Sequence, residues 1–208
     1  MTNKMNLIGL SAGIAILLLI PISYLVPWWQ FSIGTVAKIN LSPVNFSMAL
    51  FGQTLNQPLV WAMNLAGILT MLTAGIIMII YSVKPNKSYS KKLLGFSYNK
   101  PVFAVIMFVA ELLVMYFAVK SLVGIEVPLA SSSIIQLPSS MTSGSVNVSV
   151  AAGGSILWPF YFAIAVSGLC IAARLYHKKV VAPLALVPMT SMASVASAET
   201  TVPTPIVK

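Results

Sequence analysis

The sequence predicts an all-α transmembrane protein: a four-helix bundle with a small β-patterned cap formed by its two outer loops. Three observations predict it. Four apolar runs, each near the roughly 20 residues a helix needs to cross a bilayer, divide a chain of 208 residues. Charged residues make up only 7% of the chain, against roughly 25% in a soluble domain. The polar stretches after the first and third runs alternate with a period near two, the mark of half-buried strands.

The first span, 7–26, follows a short basic start, as a signal peptide would. It is long, however, and ends in Pro27-Trp28-Trp29 with no small-residue cleavage site. A retained signal-anchor helix is therefore expected, with Trp28 and Trp29 as anchors at the membrane interface. Gly9 and Gly13 form a GxxxG pair of the kind that lets helix backbones approach. In the first outer loop, 27–58, Phe31, Ile33, Thr35, Ala37 and Ile39 alternate with polar or small residues. After Pro43 the phase flips to Val44, Phe46, Met48 and Leu50. Two alternating runs about a Ser-Pro break predict one hairpin, whose apolar face covers the helix ends.

The second span, 59–81, is marked at its outer end by Trp61 and carries Ala66, Thr70 and Ala74 at spacings of four. That is a small-residue packing stripe. The loop to the third span, 101–123, holds Lys84, Lys87, Lys91, Lys92 and Lys100. The second outer loop, 124–155, is rich in Ser, Val and Gly. Val146, Val148 and Val150 suggest a strand, 139–145 a Ser-rich turn, and Gly153-Gly154 a flexible lead into the fourth span, 156–175. That span has Trp158 at its outer end, Arg174, His177, Lys178 and Lys179 at its inner end, and Gly168 with Ala172 as a small pair. One membrane domain thus covers 1–180. In the remainder, 181–208, Pro183, Pro188, Pro203 and Pro205 oppose a long helix, and a mobile cytoplasmic tail is expected.

Basic residues concentrate in the loop between spans two and three and after span four. The positive-inside rule places both termini in the cytoplasm of a multi-pass plasma-membrane protein. Asn40, Asn45 and Asn147 then fall outside in Asn-x-Ser triplets, as possible glycosylation sites. An exterior with so few titratable groups changes charge little as pH falls. That suits an acid-living cell such as an acidophilic archaeon.

The chemistry is sparse. One cysteine, Cys170, excludes an intramolecular disulfide. One histidine, one cysteine and no aspartate exclude the usual protein-only zinc sites and a Ser-His-Asp triad. No haem ligand pair or nucleophile–base pair is visible, so neither a cofactor nor enzymatic activity is expected. The net charge of +9 lies beside apolar spans, which argues against nucleic acid as a partner. The lipid bilayer, protein partners in a membrane complex, or further copies of the chain are the expected partners.

Glu111, in the third span, is the one acid inside an apolar run. Its helical face comprises Ala104, Met107, Phe108, Val114, Met115 and Ala118. Thr70, Thr73 and Ser167 lie at similar depth in spans two and four. An unpaired carboxylate is costly there, so Glu111 is expected to face the interior or a partner subunit. In its neutral form it would donate a hydrogen bond.

Four spans, inner termini and a β-patterned first outer loop opening with Trp28-Trp29 resemble the claudin-like tetraspan superfamily. The resemblance covers about residues 1–180 and lies in the topology. It implies a four-helix bundle under a small outer sheet, acting in adhesion, in barriers or as an accessory subunit. The family's Gly-Leu-Trp and loop cysteine pair are absent here, so its disulfide is not implied. Two functional expectations result. The first is a non-enzymatic structural, adhesion or accessory subunit of a larger membrane complex. The second is a small transporter or proton-handling subunit of a respiratory complex, using Glu111.

Overall fold

The computed structural model describes residues 5–50, 53–54, 58–123, 128–136 and 149–181. Helix α1 (Leu7–Leu25) leads into strands β1 (Trp29–Ile33), β2 (Ala37–Ser42), β3 (Asn45–Leu50) and β4 (Gln53–Thr54). Helices α2 (Pro58–Val83), α3 (Ser90–Ser97) and α4 (Lys100–Val123) follow, then β5 (Ser132–Gln136), β6 (Ser149–Ile156) and α5 (Trp158–Val181). Among the described residues four helices, α1, α2, the α3–α4 stretch and α5, are long and apolar enough to cross a membrane.

Helix α1 packs against α2 and α5, and α4 packs against the same two, so the long helices form a ring. The Asn6 side chain accepts from the Gly9 N–H at 3.0 Å and caps the N-terminus of α1, satisfying one orphan donor of its first turn. Glycines set the α1–α2 approach. A Cβ on Gly13 would lie 3.1 Å from the Gly75 carbonyl oxygen, and one on Gly75 would lie 3.2 Å from that of Gly13. Glycine on both helices lets the two backbones approach this closely without displacing Leu17 or Ile79. The outward faces are apolar: Leu18, Leu69, Phe103, Ile106, Phe117 and Leu175 are all exposed.

The strands form one antiparallel sheet of order β4-β3-β2-β1-β6-β5. Both inter-helix stretches at this end of the molecule contribute, so the small cap expected of the two loops is a six-stranded sheet. The first alternating run is two strands rather than one. The chain reverses between Ile33 and Ala37, where Gly34 takes φ +48° and Val36 N–H donates to the Ile33 carbonyl at 2.9 Å. A left-handed residue is cheap for glycine, and two-residue alternation runs through such a turn without a break in pattern. The reversal between Ser42 and Asn45 lies at the Ser-Pro break. Gly153 and Gly154 are not a flexible lead. They sit inside β6, opposite Ser32 and Phe31 of β1. Helix α5 starts at Trp158 and reaches Val181, and α3 occupies the basic loop, where no helix was expected. The Ser-rich 139–145 turn, Val146, Val148 and the 182–208 tail lie outside the described residues.

The sheet is fastened to the helix ends by the polar groups those ends leave unpaired. Ser42 Oγ donates to the Ser23 carbonyl at 2.9 Å, and Asn45 Nδ2 to the Tyr24 carbonyl at 3.1 Å, in the last turn of α1. From α2, Asn64 Nδ2 donates to the Ser42 carbonyl at 3.1 Å. Backbone bonds Trp28 N–H to Leu41 O (2.9 Å) and Leu157 N–H to Trp28 O (2.8 Å) close the junction.

Trp28 and Trp29 are buried, which corrects their assignment as interface anchors. Trp28 is fully enclosed, with its ring 5.1 Å from Phe108 and 6.0 Å from Phe160. Its Nε1 donates to Ser23 Oγ at 2.7 Å. Trp29 stacks on Phe31 and donates from Nε1 to the Leu129 carbonyl at 2.7 Å. A tryptophan placed between apolar helices and a sheet has the same local sequence as one placed between helix and lipid. Trp61 and Trp158 do project outward, 69% and 54% exposed.

Candidate functional site

Helix α4 turns Ala104, Phe108, Leu112, Met115 and Val119 inward. Glu111 stands at the edge of this stripe, on the side facing α2, and is 2% exposed. Val114, expected on the same face, is exposed. Glu111 lines a small crevice of about 30 Å³ between α2 and α4. Met63, Ala66, Gly67 and Thr70 of α2 form one wall, Phe103, Ala104 and Met107 of α4 the other, and Pro43 of the β2–β3 turn lies among the lining residues. The turn reaches the crevice because Gly67 has no side chain: its Cβ position would overlap the Pro43 carbonyl oxygen. Glu111 Oε2 has no hydrogen-bond partner among the described residues.

Of the expected polar neighbours, only Thr70 lines the crevice. Thr73 is exposed, and its hydroxyl donates to the Leu69 and Thr70 carbonyls of its own helix, at 2.8 and 3.0 Å. Ser167 is buried but donates to the Ala163 carbonyl at 2.8 Å. Back-bonding to the preceding turn is the common fate of a hydroxyl in an apolar helix, and equal depth does not override it. The small-residue pairs divide likewise. Gly9, Gly13 and Ala74 are in helix contacts or buried, whereas Ala66 is exposed. Gly168 has nothing within 4 Å of its Cβ position, and Ala172 is half-buried. The inward face of α5 is instead Ala163, Val166, Cys170 and Ala173.

A second polar cluster sits at the opposite end from the sheet. Asn6 Nδ2 donates to Tyr81 Oη at 2.7 Å and lies 3.3 Å from the Ala173 carbonyl. Tyr81 Oη lies 2.9 Å from His177 Nδ1. The phenol oxygen accepts from Asn6, and the direction of its bond to the imidazole is set by the His177 tautomer. The cluster joins α1, α2 and α5. Sequence reasoning missed it because its members lie 75 to 167 positions apart; Tyr81 and His177 at helix ends were the one available signal.

Lys84, Lys87, Lys91 and Lys92 are exposed at this same end. Lys100 lies over the Phe96 ring at 4.6 Å, and Arg174 over Tyr98 at 3.9 Å. At the sheet end, Asn40 Nδ2 donates to Ser47 Oγ at 3.0 Å and Asn45 Nδ2 to Tyr24 O. Both amide nitrogens that glycosylation would modify are thus engaged inside strands, and Asn147 lies outside the described residues. A groove of about 670 Å³ opens beside them, lined by Tyr24, Phe46, Trp61, Asn64, Leu65 and Ile68 among others. Among the described residues there is no group of three or more His, Cys, Asp and Glu side chains.

No family model matches the chain, and no curated protein matches it in sequence.

Proposed function

We propose that the chain is a multi-pass plasma-membrane protein with cytoplasmic termini, acting as a non-enzymatic structural, adhesion or accessory subunit of a larger membrane complex. One observation carries this reading. Apart from Glu111, the buried polar side chains among the described helices join one element to another or bond to their own backbone: Asn6, Ser23, Asn64, Ser82, Ser90, Ser97 and Ser167. Intramembrane transport or catalysis leaves ionisable side chains grouped along a pathway. Here polar groups serve as joints, and the outward faces are left apolar for lipid or a neighbouring subunit. The orientation rests on the lysines of the α2–α4 connection lying at the end away from the sheet. The sheet-on-helices arrangement agrees with the claudin-like resemblance. Purification from native membranes in mild detergent tests the proposal: stoichiometric partner proteins, or a homo-oligomer, are expected. A strictly monomeric, unaccompanied protein refutes it.

A second reading is favoured by Glu111 alone: a proton-handling subunit in which this buried carboxyl, whose Oε2 has no partner among the described residues, takes up and releases a proton. Glu111→Gln keeps shape and hydrogen bonding but cannot cycle a proton. Intact assembly and intact proton-coupled activity of the parent complex in this variant eliminate the relay. Loss of activity with normal assembly supports it.

A further inference from the structure

We infer that α3 and the start of α4 form a binding surface for the phosphate headgroup of an anionic phospholipid, held by Lys92 and Lys100 on either side of Phe96. Helix α3 is attached to the protein through one face only. Ser90, Leu94 and Ser97 are buried; Ser90 Oγ donates to the Lys84 carbonyl, and Ser97 Oγ lies 3.7 Å from Met78 Sδ. At 3.6 residues per turn, Lys92 and Phe96 share the opposite face. Phe96 is 49% exposed and Tyr89 43% exposed. A short helix with aromatic rings and lysines on its free side is suited to the boundary between headgroups and acyl chains. Lys100 Nζ stands 4.6 Å from the Phe96 ring centroid, so one ammonium is already held beside the ring that would enter the membrane. Lys92 stands one turn before it on the same face.

Charge balance identifies the ligand. Lys84, Lys87 and Lys91 are exposed nearby, and Arg174 covers Tyr98 at 3.9 Å. The chain has three acids, Glu111, Glu126 and Glu199. Glu111 is buried far into α4, Glu126 and Glu199 lie outside the described residues, and no acid occurs between residues 1 and 110. Among the described residues no acid stands at this end to balance these cations. Phosphate oxygens accept from ammonium groups in charge-assisted hydrogen bonds, while the acyl chains meet Phe96 and the apolar outer face of α4. A lysine's role in setting topology needs only net charge. A headgroup site needs Lys92 and Lys100 in their places about Phe96.

This inference rests on the reading of the four helices as membrane spans. The test uses the full chain in mixed micelles, titrated with phosphatidylglycerol or phosphatidylcholine, following the melting temperature. Phosphatidylglycerol should raise it at mole fractions where phosphatidylcholine does not. At roughly tenfold for each charge-assisted contact to phosphate that is lost, Lys92→Gln with Lys100→Gln should move the phosphatidylglycerol midpoint up by about 100-fold. Lys84→Gln with Lys87→Gln removes the same charge and should move it far less, and the Lys92→Arg, Lys100→Arg pair should retain binding. Equal response to both lipids, or equal loss in the two glutamine pairs, overturns the inference. So does reproduction of the shift by inorganic phosphate, which would identify a free-anion site. A chain that stays dispersed without detergent overturns the membrane reading and this inference with it; a detergent-dependent chain with no lipid preference overturns this inference alone.

Discussion

Two adjacent glycines in β6 are expected to respond oppositely to the same substitution. At Gly154 an added Cβ would overlap the Pro128 carbonyl oxygen and lie 2.9 Å from its carbon and 3.1 Å from the Leu129 carbonyl carbon. These are backbone atoms, so the 128–131 segment must move. That segment carries the Leu129 carbonyl, acceptor for Trp29 Nε1 at 2.7 Å, and the Ser131 carbonyl, acceptor for the Gly154 N–H at 2.9 Å. Stranding the indole N–H of a ring that is 1% exposed costs about 1–3 kcal/mol. Overpacking adds about 1–3 kcal/mol. Gly154→Ala should therefore destabilise by about 2–6 kcal/mol, a fall in melting temperature on the order of 10 °C. At Gly153 the added Cβ would lie 3.8 Å from Ser132 Cβ and 4.0 Å from the Ser131 oxygen, which is ordinary contact. Its φ is not in the left-handed region, so Gly153→Ala should be neutral or stabilise by up to about 1 kcal/mol through the unfolded chain. Thermal unfolding of the two variants in one detergent, followed by tryptophan fluorescence, measures the difference. Equal melting temperatures, or a Gly154→Ala protein within about 2 °C of wild type, refute the packing of the 128–131 segment against β6.

Gly67→Ala should push the β2–β3 turn away from α2 and cost about 1–3 kcal/mol, because its Cβ meets the Pro43 carbonyl; Gly168→Ala, with open space around it, should stabilise by up to about 1 kcal/mol, and paired melts compare them. Tyr81→Phe leaves His177 Nδ1 without its phenol and Asn6 Nδ2 with only the 3.3 Å Ala173 carbonyl, so a loss of about 1–3 kcal/mol is expected, read as a lower melting temperature. Ser42→Ala should cost a similar amount, about 1–3 kcal/mol, and loosen the sheet from α1, since Ser42 Oγ lies 2.9 Å from the Ser23 carbonyl and accepts from the Asn45 N–H at 3.0 Å; faster amide exchange across β2 and β3 would register it.

The number of long apolar helices, their approximate limits and the β character of the stretches between them were legible in the sequence. Each is written in short-range pattern: unbroken apolar runs for helices, alternation for strands. Alternation, however, does not say where a strand turns, and the pattern from Phe31 to Ile39 continued through the reversal that Gly34 permits. It also does not say which strands pair, so Gly153 and Gly154 looked like slack while the fold places them opposite β1. For the candidate site, the single acid at Glu111 was conspicuous by composition, and Thr70 was found beside it. Thr73 and Ser167 were not, because a hydroxyl in an apolar helix is satisfied by its own preceding turn. The sequence by itself determined that four helices are long and apolar enough to cross a membrane, since that follows from the length and composition of each run. Only the tertiary structure decided what Trp28 and Trp29 face, which glycines carry helix contacts, and that Asn6, Tyr81 and His177 meet, because each depends on groups brought together from distant parts of the chain.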